Sequence, residues 1–162
     1  MSHSFAGCDL GKSSISLAIF RRSPEGEATL VLTECVPHGG RPFALFEQLY
    51  DRHALSECAA LGVCGIYSGE LKEPALCLPE DACLSATLGW LPSAPETLNL
   101  VSVGGRGYRV LARRPCTERG AGGRCELESL ENDKCSSGTG ENMQKIAGRF
   151  GLSMQEADEL AL

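Results

Sequence analysis

The sequence predicts an α/β fold: a mixed five-stranded sheet with flanking helices, followed by the start of a second unit of the same kind. Three observations predict it. Near the N-terminus, three short apolar runs are separated by tight polar turns, the signature of an antiparallel meander. Helical and strand patterns then alternate, which favours strands joined through helices. A further pair of apolar runs opens near residue 98 around a Gly-Gly turn and reads as a new hairpin. At 162 residues the chain can bury one ordinary core or two small ones. The expected division is a first subdomain over 1–97 and the beginning of a second over 98–162.

Taken in order, Ser4 to Leu10 and Ile15 to Arg21 are apolar runs around the turn Gly11-Lys12-Ser13-Ser14, and predict strand, turn, strand. Ser23-Pro24-Glu25-Gly26-Glu27 is the next turn, and Ala28 to Val36, rich in Leu, Val and Thr, is a third strand. Pro37-His38-Gly39-Gly40 breaks it, and Pro42 sits where a first-turn proline is tolerated. Phe43, Leu45, Phe46, Leu49 and Tyr50 predict a helix to about Cys58 with its apolar face on the sheet. Leu61 to Ser68 reads as a buried parallel strand, and Gly69 to Leu78, with Pro74, as irregular. Pro79-Glu80-Asp81 opens a second helix through Leu88, its acids at the positive end of the dipole. Leu98 to Val103 and Tyr108 to Arg113 predict the second hairpin, 115–124 a loop, and Glu126 to Leu130 a returning strand. Ser153-Met154-Gln155-Glu156 is a capping-box pattern, and the helix it starts is expected to run to Leu162, as though the chain stopped mid-domain.

Composition narrows the class. Hydrophobic residues at 43% and charged residues at 22% describe a globular chain. A net charge of −6 argues against nucleic acid, which favours a basic face. Arg109, Arg113 and Arg114 form a local basic patch without interleaved aromatics, and Glu118, Glu126, Glu128 and Glu131 read as a solvated edge. No apolar run approaches the roughly 18 residues of a membrane span. The N-terminus lacks a basic region followed by an apolar core. A cytoplasmic protein is therefore expected. Nine cysteines, none in a CxxC pair, suit neither a disulfide framework nor a zinc ribbon. Most read as small buried hydrophobes. His38 and His53 have no ligand spacing and read as surface residues.

The densest chemistry lies in Glu131 to Phe150, ENDKCSSGTGENMQKIAGRF. Cys135 precedes a small-residue turn that feeds a helix, with Met143, Ile146, Ala147 and Phe150 at the spacing of one buried face. Free N–H groups and the dipole at such a helix start suit a phosphate and favour a thiolate. The plain alternative is a helix cap followed by an amphipathic helix, with Cys135 inert.

The run Asn132-Asp133-Lys134-Cys135-Ser136-Ser137-Gly138-Thr139-Gly140 resembles the NDKC…GTG segment of the activator ATPases of 2-hydroxyacyl-CoA dehydratases and benzoyl-CoA reductases, the BadF/BadG/BcrA/BcrD ATPase family. The expected element order is similar to the ribonuclease-H-like, actin-like ATPase unit of that superfamily. The resemblance implies ATP or ADP with Mg2+, held between two hairpin turns. It implies a [4Fe-4S] cluster shared across a homodimer, and a dehydratase or reductase partner receiving an electron. Carried onto this chain, Asp9 is the acid for hydrated Mg2+, and Gly11, Lys12, Ser13 and Ser14 face phosphate. Gly104, Gly105 and Arg106 form the second turn, Gly138, Thr139 and Gly140 the helix start, and Cys135 the cluster thiolate.

Two departures matter. Ser102 stands where the family's second acid belongs, and Arg106 and Gly107 replace a Gln and an Asp. Since placement of charge carries phosphoryl-transfer catalysis, ATP hydrolysis is expected to be impaired. Arg106 reads equally as a phosphate ligand or a solvated charge. The family's second cluster cysteine would fall beyond Leu162, so cluster binding is expected to need residues absent here, with Cys116 and Cys125 the remote substitutes. The leading functional expectation is an ATP-binding activator component. The alternatives are a degenerate, non-hydrolysing binding or assembly domain, and a small redox or metal protein.

Overall fold

The computed structural model describes residues 3–71, 75–90, 97–103, 108–115, 125–132 and 139–161. The chain divides into two compact units, Met1–Cys83 and Leu84–Leu162.

The first unit is built on a mixed five-stranded sheet with the order β3-β2-β1-β4-β5. β1 (His3–Leu10), β2 (Ser14–Arg22) and β3 (Ala28–Pro37) form the antiparallel meander, with a bulge at Ile19/Phe20. Helix α1 (Pro42–Arg52) then carries the chain back, so that β4 (Ala60–Cys64) lies parallel to β1. β5 (Leu76–Cys77) adds in parallel to β4, giving the sheet its fifth strand inside a segment whose sequence reads as irregular. The short strand exists because β4 offers it a free edge; two residues carry no strand pattern of their own.

Alternation places Ala6, Cys8 and Leu10 of β1 on one face with Ile15 and Leu17 of β2 and Leu61 and Val63 of β4. Phe46 and Leu49, one helical turn apart on α1, cover that face and are fully buried. α1 stops at Arg52, short of the expected Cys58: Ala54 is left-handed (φ 48°) and a single 3-10 turn follows at Leu55–Glu57. In a continued helix Leu55 would point away from the Phe46/Leu49 stripe; breaking at Ala54 turns it into the core, 2% exposed. Glu34 of β3 anchors the helix end, accepting from Arg52 Nη1 (3.0 Å) and meeting His53 Nε2 (2.7 Å). β4 ends at Cys64 where Ser68 was expected, because Gly65 takes φ +91° and turns the chain.

α2 (Glu80–Trp90) is the element through which the chain passes from the first unit to the second. The second unit contains an antiparallel sheet in the order β6-β7-β8, from Leu98–Val103, Tyr108–Pro115 and Cys125–Asn132. The basic patch and the acidic edge of the sequence face each other there in register, Arg109 with Glu131 and Arg114 with Glu126, and the Arg109–Glu131 ion pair spans 2.7 Å. α3 (Thr139–Arg149) closes in a Schellman arrangement, Leu152 N–H to the Ala147 carbonyl (3.0 Å) and Gly151 N–H to that of Gly148 (3.1 Å). α4 (Met154–Leu160) begins with the predicted capping box: Glu156 N–H donates to Ser153 Oγ at 3.1 Å, and Ser153 N–H donates to Glu156 Oε2 at 2.7 Å. It ends at Leu160, two residues before the expected Leu162.

The helical periodicity of α3 is present, but its buried face is not. Ala147 is buried, while Met143, Ile146 and Phe150 are 51%, 56% and 77% exposed. Together with Met154 and Leu160 of α4 they line an open groove of about 350 Å³. The cysteines also depart from expectation: of the described free thiols only Cys8 is buried, and Cys35 and Cys77 are exposed. No helix among the described residues is long and apolar enough to cross a membrane.

Burial sets the expected mutational contrast. Phe46→Ala opens a cavity in the filled core and should cost about 3–5 kcal/mol, read as a lower urea midpoint by circular dichroism. Phe150→Ala, at an exposed position, should change the midpoint by no more than about 0.5 kcal/mol.

Candidate functional site

The β1–β2 turn gathers Asp9, Gly11, Lys12, Ser13 and Ser14 at one end of the first sheet. Asp9 lies on the face opposite Cys8 and Leu10, and pairs in register with Ser16 on one side and Cys64 on the other. Gly11 allows a close approach: a Cβ there would stand 3.0 Å from the Ser14 carbonyl oxygen. Ser13 is exposed and Gly11, Lys12 and Ser14 are half-buried.

His38 braces this turn from the protein side. Its N–H donates to the Ser13 carbonyl at 3.2 Å. Gly40 N–H donates to His38 Nδ1 at 3.1 Å, so Nδ1 is the acceptor and Nε2 carries the hydrogen, donating to the Gly11 carbonyl at 3.2 Å. His38 is 7% exposed and its ring sits edge-on against Tyr67, with centroids 5.9 Å apart, and Tyr67 in turn meets Phe43. The reading of His38 as a surface residue is thereby corrected. The physical reason is the register of the β2–β3 ladder, which pairs Ser14 with Pro37 and so sets residue 38 against Ser13. With the carbonyls of Gly11 and Ser13 satisfied from within, the chemistry left for an incoming anion is amide N–H and serine hydroxyl.

Gly65 supplies the other wall. At φ +91°, a Cβ would collide with Asp9 Oδ1 and with the Leu10 carbonyl, so the strand end can close against Asp9 only as glycine. The Asp9 carboxyl is open to solvent along one edge and crowded along the other. That desolvation raises its pKa, and the negative charge of Glu80 at the start of α2 raises it further. Beneath it the Cys8 thiol is pushed up to about 12, by burial first and by Asp9 second. A hydrated divalent cation beside Asp9 would offset that repulsion and hold the carboxyl in its charged form. Asp9 is the group that would hold such an ion through its waters. Among the described residues no group of three or more His, Cys, Asp or Glu side chains is disposed to ligate a metal directly.

Gly104, Gly105 and Arg106, together with Cys135 and Gly138, lie outside the described residues. Thr139 and Gly140 are the first residues of α3. Sequence reading missed His38, Gly65 and Glu80. Counting the hairpin ladder outward from the Gly11–Ser14 turn would have found His38; Gly65 and Glu80 reach Asp9 only through the parallel pairing of β4 with β1.

No family model matches the sequence, and no curated protein matches it. Solved structures do. The activator of the 2-hydroxyisocaproyl-CoA dehydratase from Clostridium difficile, solved with bound ADPNP, superposes with a TM-score of 0.66 at 21% identity, over 93% of this chain and 53% of that one. An exopolyphosphatase-like protein gives 0.54 at 14% identity, over 80% of this chain and 51% of that one. A Ppx/GppA enzyme of Aquifex aeolicus gives 0.50 at 11%, over 90% and 57%. The fold is therefore that of the actin-like ATPases, as the sequence implied. The chain spans about half the length of these solved structures.

Two outcomes follow for the site. Gly65→Ala should destabilise the first unit by about 1–3 kcal/mol, from strained backbone and the forced displacement of Asp9; a fall in Tm checks it. The folded chain keeps the Asp9 proton to a higher pH than the unfolded chain, whose carboxyl releases it near pH 4. Stability is therefore lost as pH rises through that interval, and the cost stays constant above it. Asp9→Asn should accordingly show a higher Tm than the parent at neutral pH, the two curves converging toward about pH 4. A parent no less stable than Asp9→Asn at neutral pH would contradict the shift.

Proposed function

We propose that the chain is an ATP-binding activator component, one that couples nucleotide binding to delivery of an electron to a 2-hydroxyacyl-CoA dehydratase or benzoyl-CoA reductase partner. The observation that carries the reading is the β1–β2 turn in this fold. Its carbonyls are held inward by His38, and Asp9 stands beside it facing solvent. The similarity to a dehydratase activator solved with ADPNP supports it.

In this reading residues 1–97 form the first ribonuclease-H-like subdomain and 98–162 begin the second. Supporting that division, β6–β8 and α3 repeat the meander-then-helix order of β1–β3 and α1. Ser13 and Ser14 donate hydroxyl and amide hydrogens to the nucleotide phosphates, Lys12 adds positive charge, and Asp9 orients hydrated Mg2+. Gly104, Gly105 and Arg106 provide the second phosphate turn, and Gly138, Thr139 and Gly140 the backbone at the start of α3. Cys135, once per subunit of a homodimer, would hold a [4Fe-4S] cluster, which supplies the electron when bound; a further thiol from each side is required. Coupling requires that nucleotide bind two arrangements of the protein unequally. The setting is a reducing cytoplasm.

A second reading, a nucleotide-binding domain without turnover, is favoured by one residue. Ser102 occupies β6 opposite Arg109, where the resemblance calls for an acid to position the attacking water.

Titration with ADP should show Mg2+-dependent binding that Asp9→Asn weakens at least tenfold, about 1.4 kcal/mol. Equal affinity in parent and variant would remove Asp9 from the site. Iron and sulfide retained after anaerobic reconstitution and lost in Cys135→Ser supports the activator reading. Nucleotide binding with no phosphate release from ATP selects the second.

A further inference from the structure

One pair of thiols stands apart from the nucleotide turn's own chemistry. Cys64 ends β4 and Cys83 lies in the first turn of α2, and their side chains are hydrogen-bonded to each other. Both are half-buried and neither is in a disulfide. Three other thiols have different surroundings: Cys35 meets Ser16 Oγ at 3.4 Å, Cys77 meets Ser68 Oγ at 3.4 Å, and Cys8 is enclosed in the core. The pair's position is also distinctive. Cys64 is in register with Asp9, Glu80 lies one turn before Cys83 on α2, and the first unit ends at Cys83.

We propose that Cys64 and Cys83 form a reversible, peroxide-driven disulfide that fastens the first turn of α2 to the end of β4 beside Asp9. The step balances with hydrogen peroxide as oxidant. One sulfur attacks a peroxide oxygen, the O–O bond breaks, the attacking thiol's proton passes to the leaving hydroxide, and sulfenic acid and water form. The second sulfur then attacks the sulfenic sulfur; the S–S bond forms, and the hydroxyl leaves with the second thiol's proton as another water. The two thiols give up two electrons and the peroxide takes them. An external thiol reverses the bond by exchange. Since the chain leaves the first unit through α2, the oxidised form pins the start of the connecting helix, and the reduced form releases it. The bridge does not depend on the proposed activator role, because both thiols belong to the first unit and neither is assigned to the nucleotide or the cluster.

The test treats the full reduced chain with hydrogen peroxide, alkylates the remaining thiols and maps peptides by mass. The expected product is a linked Cys64–Cys83 peptide lighter by two hydrogens, restored by dithiothreitol, with Tm raised by more than about 4 °C because the loop from 64 to 83 is closed. Cys83→Ser and Cys83→Ala, each checked for folding by circular dichroism, should give no linked peptide and no rise in Tm. The proposal is overturned if Cys64 and Cys83 both remain alkylable after peroxide. It is equally overturned if they oxidise separately to sulfinic acids, or if the dominant disulfide joins other cysteines. Nucleotide affinity measured on the same reduced sample reports on the functional reading independently.

Discussion

The arrangement of the first unit depends on a buried histidine holding a hairpin turn by its carbonyl oxygens. His38 spends its backbone N–H on Ser13 and its ring Nε2–H on Gly11, while Gly40 supplies the donor that fixes the ring's tautomer. Left unpaired, those buried polar groups would each cost on the order of 1–3 kcal/mol. Satisfied together, they make the turn rigid and orient its donors outward. Tyr67 packs the ring from the side and Phe43 packs on Tyr67, which ties the start of α1 and the loop after β4 to the same point.

The electrostatics near the turn have the opposite character. Asp9 is crowded by Gly65 and repelled by Glu80, so the carboxylate is held at a cost to the folded chain. Stability is surrendered at a place where a cation or phosphate complex would recover it. The thiols of Cys64 and Cys83 lie along the same strand end, so a change in their covalent state falls next to the same carboxylate.

The two units differ in how much of their apolar surface is covered. In the first, Phe46 and Leu49 of α1 are fully buried against Leu10, Ile15 and Val63. In the second, α3 carries an equally regular apolar stripe, yet Met143, Ile146 and Phe150 remain largely exposed, as do Val101, Val103 and Leu130 of the sheet. Periodicity reports which face a helix would bury; it does not report whether anything is there to bury it.

Alternation in β1 to β3, the Gly-rich turn after Asp9, the apolar stripes of α1 and α3 and the Ser153–Glu156 box all follow from local preferences, because residues a few positions apart set them. So did the fold class, since the succession of meander, helix, strand and helix leaves few ways to close a sheet. Tertiary structure decided the rest. Leu55 became a core residue only through a break at Ala54, β5 formed only on the edge that β4 offered, and His38 was drawn inward by a register counted across two strands. Gly65, Glu80 and Cys64 joined Asp9 for the same reason: parallel pairing brings together residues more than fifty positions apart, and no spacing rule within one chain segment carries that information.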